Sequence, residues 1–371
     1  MQDQPGSAKV AEMLQRSVQV FVSVVGRIGV ILEPQKIIGR RMGFFHRFTC
    51  LCILSSKICA RGLFFYNPIF CYNSLQMILI TGGTGFVGRH LVPALVDSGQ
   101  KVRILLRPSA ESPKIPRGVS VEVAVSGLND SRGLRAAMKD VDIVYHFASA
   151  ERYGARGNLN EVDVEGSKAV AQAAADAGVQ RLFYLSHLGA NRSSAFPVLK
   201  AKAIAERWIT DSGVNYTIFR MNAVYGAGDQ FTEPIRQLLT KTPGLFLLPG
   251  DGNTLLQPLW INDLVSTLVL ALENPKTLNR IYNIGGVEIL SYREIVQAIA
   301  HKIKVHRLLL PFPLGYMRTL TLWVDQLNPK FPISTFWLDT LAENRTAMVD
   351  LLPREFGVMP ARFRQSLDHL Q

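Results

Sequence analysis

No cysteine follows residue 71 in this 371-residue chain. Cys50, Cys52, Cys59 and Cys71 crowd into the first 76 residues, with no Cys-x-x-Cys pair among them. That pattern excludes a disulfide framework or a cysteine zinc site tying the body together. No His/Asp/Glu grouping has metal-ligand spacing either, so no metal is expected. Long apolar runs are also missing: no window supplies about 20 apolar residues in a row, which excludes a spanning helix. The sequence holds no G-x-S-x-G elbow, so a hydrolase of that type has no nucleophile. Acidic residues are scarce relative to basic ones, 29 against 41, for a formal charge of +12. Residues 1–76 hold 9 Lys/Arg and 3 Asp/Glu, and the remaining 295 hold 32 and 26, so each part carries +6. The body is therefore only mildly basic. Its cations are scattered rather than interleaved with aromatics, which speaks against nucleic acid as a partner.

What is present is an ordinary globular composition. Hydrophobic residues make 48% and charged residues 19%, which excludes disorder as the class of the whole chain. Residues 1–76 stand apart as an N-terminal extension. Their apolar runs, "VQVFVSVVG" and "LCIL", are short and interrupted by Arg27, Arg40, Arg41 and Arg47. The segment lacks the n-region and cleavage site of a secretory signal. Being Arg-rich and acid-poor, it suits a mitochondrial transit peptide or a peripheral membrane anchor. The preferred reading is an extension outside the fold, because Met77 opens the first strand of a complete domain.

From Met77 the chain alternates short apolar runs with helical patterns. "MILIT", "KVRILLR", "VSVEVAV", "VDIVYHFAS", "RLFYLS" and "NYTIFR" are separated by "RHLVPALVDSG", "SRGLRAAMKD", "EGSKAVAQAAADAG" and "LKAKAIAERWITDSG". This alternation predicts a parallel sheet with right-handed crossovers. After "VYGAGD" the rhythm loosens into the loop-rich "LLPGDGNTLLQPLWINDL", a helix at "DLVSTLVLALENP" and a late strand at "RIYNIGG", about residues 281–284. The remainder reads as helical with many prolines. The expected division is 1–76 extension, 77–225 nucleotide-binding core and 226–371 C-terminal lobe.

Gly82, Gly85 and Gly88 form G-x-x-G-x-x-G directly after a strand and into a helix. Such glycines permit a tight turn and close backbone approach to a pyrophosphate, whose charge meets the helix N-terminus. A dinucleotide is the expected ligand. An acid about 20 residues further on would accept the adenosine ribose hydroxyls. "VRILLRPSAES" offers none before Glu111; it offers Arg107, with Ser109 nearby. A guanidinium suits a 2′-phosphate through paired charge-assisted hydrogen bonds, so NADP(H) is favoured and NAD(H) is the alternative.

"TGGTGFVG", "VYHFAS", "VDVEGS", the Lys202–Glu206 spacing, "VYGAGD" and "YNIGG" together resemble the short-chain dehydrogenase/reductase superfamily in its extended or atypical, epimerase/dehydratase-like branch. The match runs in order from Met77 to about residue 300. It implies an α/β fold, a doubly wound Rossmann-like parallel sheet of about seven strands in three layers, with a smaller mixed C-terminal substrate lobe. It also implies cofactor contacts from Thr84, Phe86 and Val87 in the turn and from Phe147, Ala148 and Ser149 after the fourth strand. Gly127 stands where many relatives carry an Asp that touches the adenine.

In that superfamily a Ser or Thr after the fifth strand polarises a carbonyl, a Tyr moves the proton, and a Lys holds the nicotinamide ribose. The Lys-to-Glu spacing places the Lys at Lys202, which makes the Tyr position Val198 and the hydroxyl position, following Ser186, His187. A second register pairs Phe196 with Lys200. Neither register supplies a general acid, although His187 is a candidate proton donor. "SHLGA" followed by Lys202 and Glu206 resembles the accessory-subunit group of respiratory complex I (the NADH dehydrogenase alpha-subcomplex subunit 9 type). That resemblance implies NADPH held structurally.

Other residues carry plainer expectations. His146 is expected to pack beneath the nicotinamide, Tyr225 to line the cleft, and Asp263 to serve as a structural turn acid. Residues 306–324, "HRLLLPFPLGYMRTLTLWV", are the most apolar part of the body, flanked by Lys304, Arg307 and Arg318. They are expected either to close the substrate lobe or to dock on a membrane surface or a protein complex. The expected role is therefore cofactor-holding, in assembly or redox sensing, with an active reductase or nucleotide-sugar epimerase/dehydratase as the alternative. The expected location is the cytoplasm or the cytoplasmic face of a membrane, or the mitochondrial matrix if a transit peptide leads the chain.

Overall fold

Strand β1 (Met77–Thr81) buries Ile78, Leu79 and Ile80 completely, as a strand covered on both faces must. In the computed structural model, residues 76–109, 115–116, 118–327 and 333–371 are described. Residues 1–75 of the extension, with all four cysteines, and Glu111 lie outside the described residues.

After β1 the core runs α1 (Phe86–Asp97), β2 (Lys101–Leu106), β3 (Glu122–Val125), α2 (Ser131–Ala137) and β4 (Ile143–His146). It continues with α3 (Gly166–Asp176), β5 (Arg181–His187), α4 (Pro197–Thr210) and β6 (Tyr216–Met221). The later part carries β7 (Val224–Tyr225), α5 (Thr232–Lys241), β8 (Leu245–Pro249), β9 (Leu255–Leu256), β10 (Leu259–Trp260) and α6 (Ile261–Glu273). There follow β11 (Arg280–Asn283), β12 (Leu290–Ser291), α7 (Tyr292–Lys302), β13 (Leu308–Phe312) and α8 (Leu314–Leu327). Two short helices close the chain, α9 (Thr335–Thr340) and α10 (Leu351–Phe356).

Seven strands form one sheet in the order β11-β6-β5-β4-β1-β2-β3, every pairing parallel. Chain order reverses between β1 and β4, and the crevice at the carboxyl ends of such a pair is where doubly wound sheets bind ligands. Alternation within β1 separates two cores. Ile78 and Ile80 pack with Leu91, Leu95, Leu264 and Leu268, so α1 and α6 cover that face. Leu79 packs with Leu134, Val170, Leu182 and Ile209, so α2, α3 and α4 cover the other. The result is the three-layer α/β architecture that the alternation and the family resemblance imply, with the late strand added beside β6.

A third core fills the C-terminal lobe, where Phe231, Ile235, Phe246, Leu248, Tyr292, Ile295 and Phe363 pack together. One expectation fails here. The stretch after residue 304 is not wholly helical, because Leu308–Phe312 forms a strand parallel to β8. Its exposed Leu308 and Leu310 alternate with partly buried Leu309, a period of two, and Pro311 sits at the edge where no ladder partner needs its missing N–H.

Candidate functional site

The glycine turn lies at the mouth of the crevice. Gly82 has φ +73, and a Cβ there would stand 2.7 Å from the Phe147 carbonyl carbon. At Gly88 a Cβ would meet the Gly82 oxygen at 2.4 Å and the Gly83 Cα at 2.6 Å. Only glycine lets helix α1 sit this close to the turn. Gly85 is the N-cap of α1 and brings no side-chain cap, so the first backbone N–H groups are left for an anion. Thr84, Phe86 and Val87 sit in this same turn. Thr81 ties it to the next strand: its hydroxyl lies 3.2 Å from the Phe147 N–H and 3.3 Å from the Ala148 N–H, and accepts from both.

Arg107 leaves the end of β2 exposed, and its guanidinium donates to the Tyr153 hydroxyl at 3.0 Å. Space beside Gly127 is open, since a Cβ there would meet nothing within 4 Å. This end of the crevice therefore holds a cation and free room, and β2 itself carries no carboxylate.

At the ends of β5 and β6 the arrangement is different. His187 Nε2 lies 2.8 Å from Glu151 Oε2. Burial works against the Glu151 charge, yet His187, Lys202 and Arg345 around it hold its pKa down to about 2. Lys202 is buried, with Nζ 3.1 Å from Asp163 Oδ1. Asp163 in turn accepts from the Ser149 hydroxyl at 2.7 Å and the Ala150 N–H at 2.9 Å. Burial opposes the Lys202 charge as well, but Tyr184, Asp163 and Glu151 overcome it and raise its pKa. The ammonium stays charged. Lys200 of the second register is exposed.

Val198 is 4% exposed and packs with Ala150, Leu159, Val164, Ala201 and Phe336. No proton donor stands at that position. Close by, the Ser186 hydroxyl, His187 Nδ1 and the Asn222 side-chain nitrogen are buried without a hydrogen-bond partner among the described residues. A glycine cradle at one end of the crevice and orphaned polar atoms at the other fit a dinucleotide laid across it.

Three members of this cluster went unread in the sequence. Asp163 lies inside the quoted "VDVEGS", and Glu151 follows "VYHFASA" directly, so both had a positional signal. Arg345 had none. It is buried, donates to the Asp339 carbonyl at 2.9 Å, and comes from beyond α9.

His146 is fully buried, with Nδ1 2.6 Å from Thr81 Oγ1 and Nε2 2.9 Å from Ser167 Oγ. Burial first, and the Lys202 charge second, push its pKa from 6.5 to about 3. It is a neutral structural bridge. Tyr225 corrects an expectation: it is fully buried in the C-terminal lobe, edge-on to Phe363 with ring centroids 4.9 Å apart, and lines no cleft. Asp263 accepts from the Ala361 N–H at 2.8 Å and pins the C-terminal segment. Among the described residues, no group of three or more His, Cys, Asp or Glu has metal-binding geometry. No described helix is long and apolar enough to cross a membrane.

Comparisons with known proteins agree with this geometry. Residues 82–236 match the NAD(P)H-binding family, and residues 193–285 match the NAD dependent epimerase/dehydratase family. The chain is 27% identical over 308 residues to the mitochondrial NADH dehydrogenase [ubiquinone] 1 alpha subcomplex subunit 9 of Arabidopsis thaliana, covering 76% of each chain. It is 31% identical over 199 residues to a ceramide reductase of Caulobacter vibrioides, covering 54% of this chain and 62% of that protein. Among solved structures, a nucleoside-diphosphate-sugar epimerase from Staphylococcus aureus shares the fold with a TM-score of 0.64 and 17% identity, covering 80% of this chain and 100% of that one. The two family matches overlap and together run through residues 82–285, so this part of the chain carries NAD(P)H-binding and NAD dependent epimerase/dehydratase family domains.

Proposed function

We propose that this protein holds NADP(H) as a bound structural or redox-sensing component and turns over carbonyl or nucleotide-sugar substrates poorly. The observation that carries this reading is Val198, packed among apolar side chains where the superfamily pattern calls for a Tyr. An isopropyl group moves no proton, and a positioned general acid contributes about 10²–10⁴ in rate. Lys202, tied to Asp163, is the residue proposed to hold the nicotinamide ribose from the charged side. The preference for NADP(H) over NAD(H) rests on Arg107 and on the absence of a carboxylate at the end of β2.

The proposal extends to a place in an assembly at or near a membrane, in the cytoplasm or a mitochondrial matrix. The relatives named as NADH dehydrogenase subunits support it, as does an exposed apolar surface. Tyr316 and Trp323 on α8 are 72% and 65% exposed, and Leu308 on β13 is 64% exposed.

The test has two parts. Protein purified without added cofactor is denatured and its released nucleotide identified; NADPH or NADP is expected. A panel of aldehydes, ketones and nucleotide sugars is then followed at 340 nm under saturating NADPH, with no turnover expected. A second reading, an active reductase, rests on the His187–Glu151 contact and on the relative named a ceramide reductase. Robust turnover in that panel, lost in His187→Phe, establishes it instead.

A further inference from the structure

Two guanidinium groups converge on one phenol oxygen at the adenosine end of the crevice. Arg107 donates to the Tyr153 hydroxyl at 3.0 Å and Arg152 donates to the same oxygen at 2.5 Å. Their Cζ atoms lie 5.7 Å and 4.5 Å from the Tyr153 ring centroid. Two like charges focused on one neutral atom repel each other, and an anion placed between them relieves that repulsion. Both contacts enter the phenol oxygen as acceptor, so the hydroxyl proton is available to be donated. Among the described residues, the cluster thus offers donors and no carboxylate.

Its position matters as much as its charge. Arg107 stands at the end of β2, while Arg152 and Tyr153 lie on a short 3-10 turn, Glu151–Arg156, just beyond β4. β1 lies between those two strands, so the contact spans the carboxyl end of β1, where the glycine turn begins. The turn is built rather than loose. Gly154 holds φ +58, a Cβ at Gly157 would stand 2.4 Å from the Ala150 oxygen, and Tyr153 packs against the cluster of Ala150, Leu159 and Phe336. Partial burial raises the Tyr153 pKa, but the hydrogen bond and charge of Arg152, joined by Arg107, outweigh it and lower the value overall. The two guanidinium groups already favour negative charge here.

We infer that Arg152 and Tyr153, together with Arg107, form a three-donor clamp for the 2′-phosphate of NADP(H). The inference rests on the cofactor reading above and adds two residues that no glycine or strand-end motif identifies. Guanidinium–phosphate contacts are charge-assisted and frequently bidentate, and two such arms closing from opposite sides of β1 strap the adenosine end in place.

The experiment compares NADPH and NADH by titration calorimetry on the full chain stripped of nucleotide, with adenosine 2′-monophosphate and 5′-monophosphate as fragments. The native protein is expected to prefer NADPH and the 2′-monophosphate. Arg152→Met keeps the alkyl stem and should weaken NADPH by about tenfold or more while moving NADH by less than about twofold. Tyr153→Phe should act in the same direction and less strongly. If the native protein prefers NADPH but Arg152→Met leaves the preference intact, or weakens both nucleotides equally, the clamp is wrong and the cofactor reading stands. If the native protein binds neither nucleotide, both are wrong.

Discussion

Lys202 and Asp163 form a buried ion pair, 3.1 Å apart, beneath the segment that leaves β4. Asp163 also takes hydrogen bonds from Ser149 and Ala150, so one carboxylate fixes the lysine and the loop that would lie over a nicotinamide. Breaking a buried pair from one side leaves an uncompensated charge and costs about 3–5 kcal/mol. Lys202→Met should therefore lower the unfolding midpoint strongly and release bound nucleotide. The double variant Lys202→Met with Asp163→Asn should recover most of the stability and none of the nucleotide retention. Recovery of both in the double variant would assign Lys202 to packing alone.

Gly88 makes a sharper test of the turn. Its Cβ would have to displace backbone atoms of Gly82 and Gly83, which no side-chain rotation can relieve. Gly88→Ala should cost about 1–3 kcal/mol by overpacking and abolish detectable dinucleotide binding. A chain that still binds NADPH at native affinity after this change would place the cofactor elsewhere.

Sheet and glycine turn were legible because local periodicity encodes both. Ile78, Leu79 and Ile80 read as a buried strand whichever tertiary partner they meet, and a glycine turn entering a helix has few other uses. The cluster around His187 was not legible, because its members meet only through the fold. Glu151 and His187 are 36 residues apart, and Arg345 arrives from the C-terminal lobe, beyond α9. Tyr225 was misread for a related reason. Its place before a glycine loop resembles a cleft position, but burial against Phe363 depends on a C-terminal segment whose path no periodicity announces.

His146 should give stability a measurable acid slope. Its ordinary pKa of 6.5 falls to about 3 in the fold, so below pH 6.5 the unfolded chain binds a proton that the native chain refuses. Stability is full above 6.5 and falls as the pH drops toward 3, by up to about 1.4 kcal/mol per pH unit. Glu151 adds its own loss in the same direction, but only as the pH falls from 4.5 toward 2. Urea midpoints measured between pH 6.5 and 5 therefore separate the His146 contribution from that of Glu151. His146→Asn should flatten the slope there, and a His146 imidazole resonance titrating near 6.5 in the native protein would contradict the burial argument.

The exposed apolar surface should bind an anionic bilayer. On α8, Tyr316, Leu320 and Trp323 follow one another at helical spacing, and all three are exposed. On the paired strands, register places Leu308 beside Leu245 and Leu310 beside Leu247, so four exposed leucines share one face. Residues 295–324 contain Lys302, Lys304, Arg307 and Arg318 and no Asp or Glu; residues 234–250 contain Arg236 and Lys241 and again no acid. Lys302 is paired with Asp368 and Arg318 with Asp339. That leaves Lys304, Arg307, Arg236 and Lys241 as the cations beside the aromatic and aliphatic groups, a combination that suits the boundary between acyl chains and anionic headgroups. The native chain should float with phosphatidylglycerol vesicles and stay behind with phosphatidylcholine. Leu320→Ser with Trp323→Ser should reduce that binding by about tenfold or more, since each exposed side chain removed forfeits about 1.5–3 kcal/mol of burial. NADPH affinity should not change in this variant, because both side chains are exposed on α8, outside the cluster proposed to hold the cofactor. A native chain that ignores both vesicles but retains a protein partner through the same two residues would turn the surface from lipid to protein.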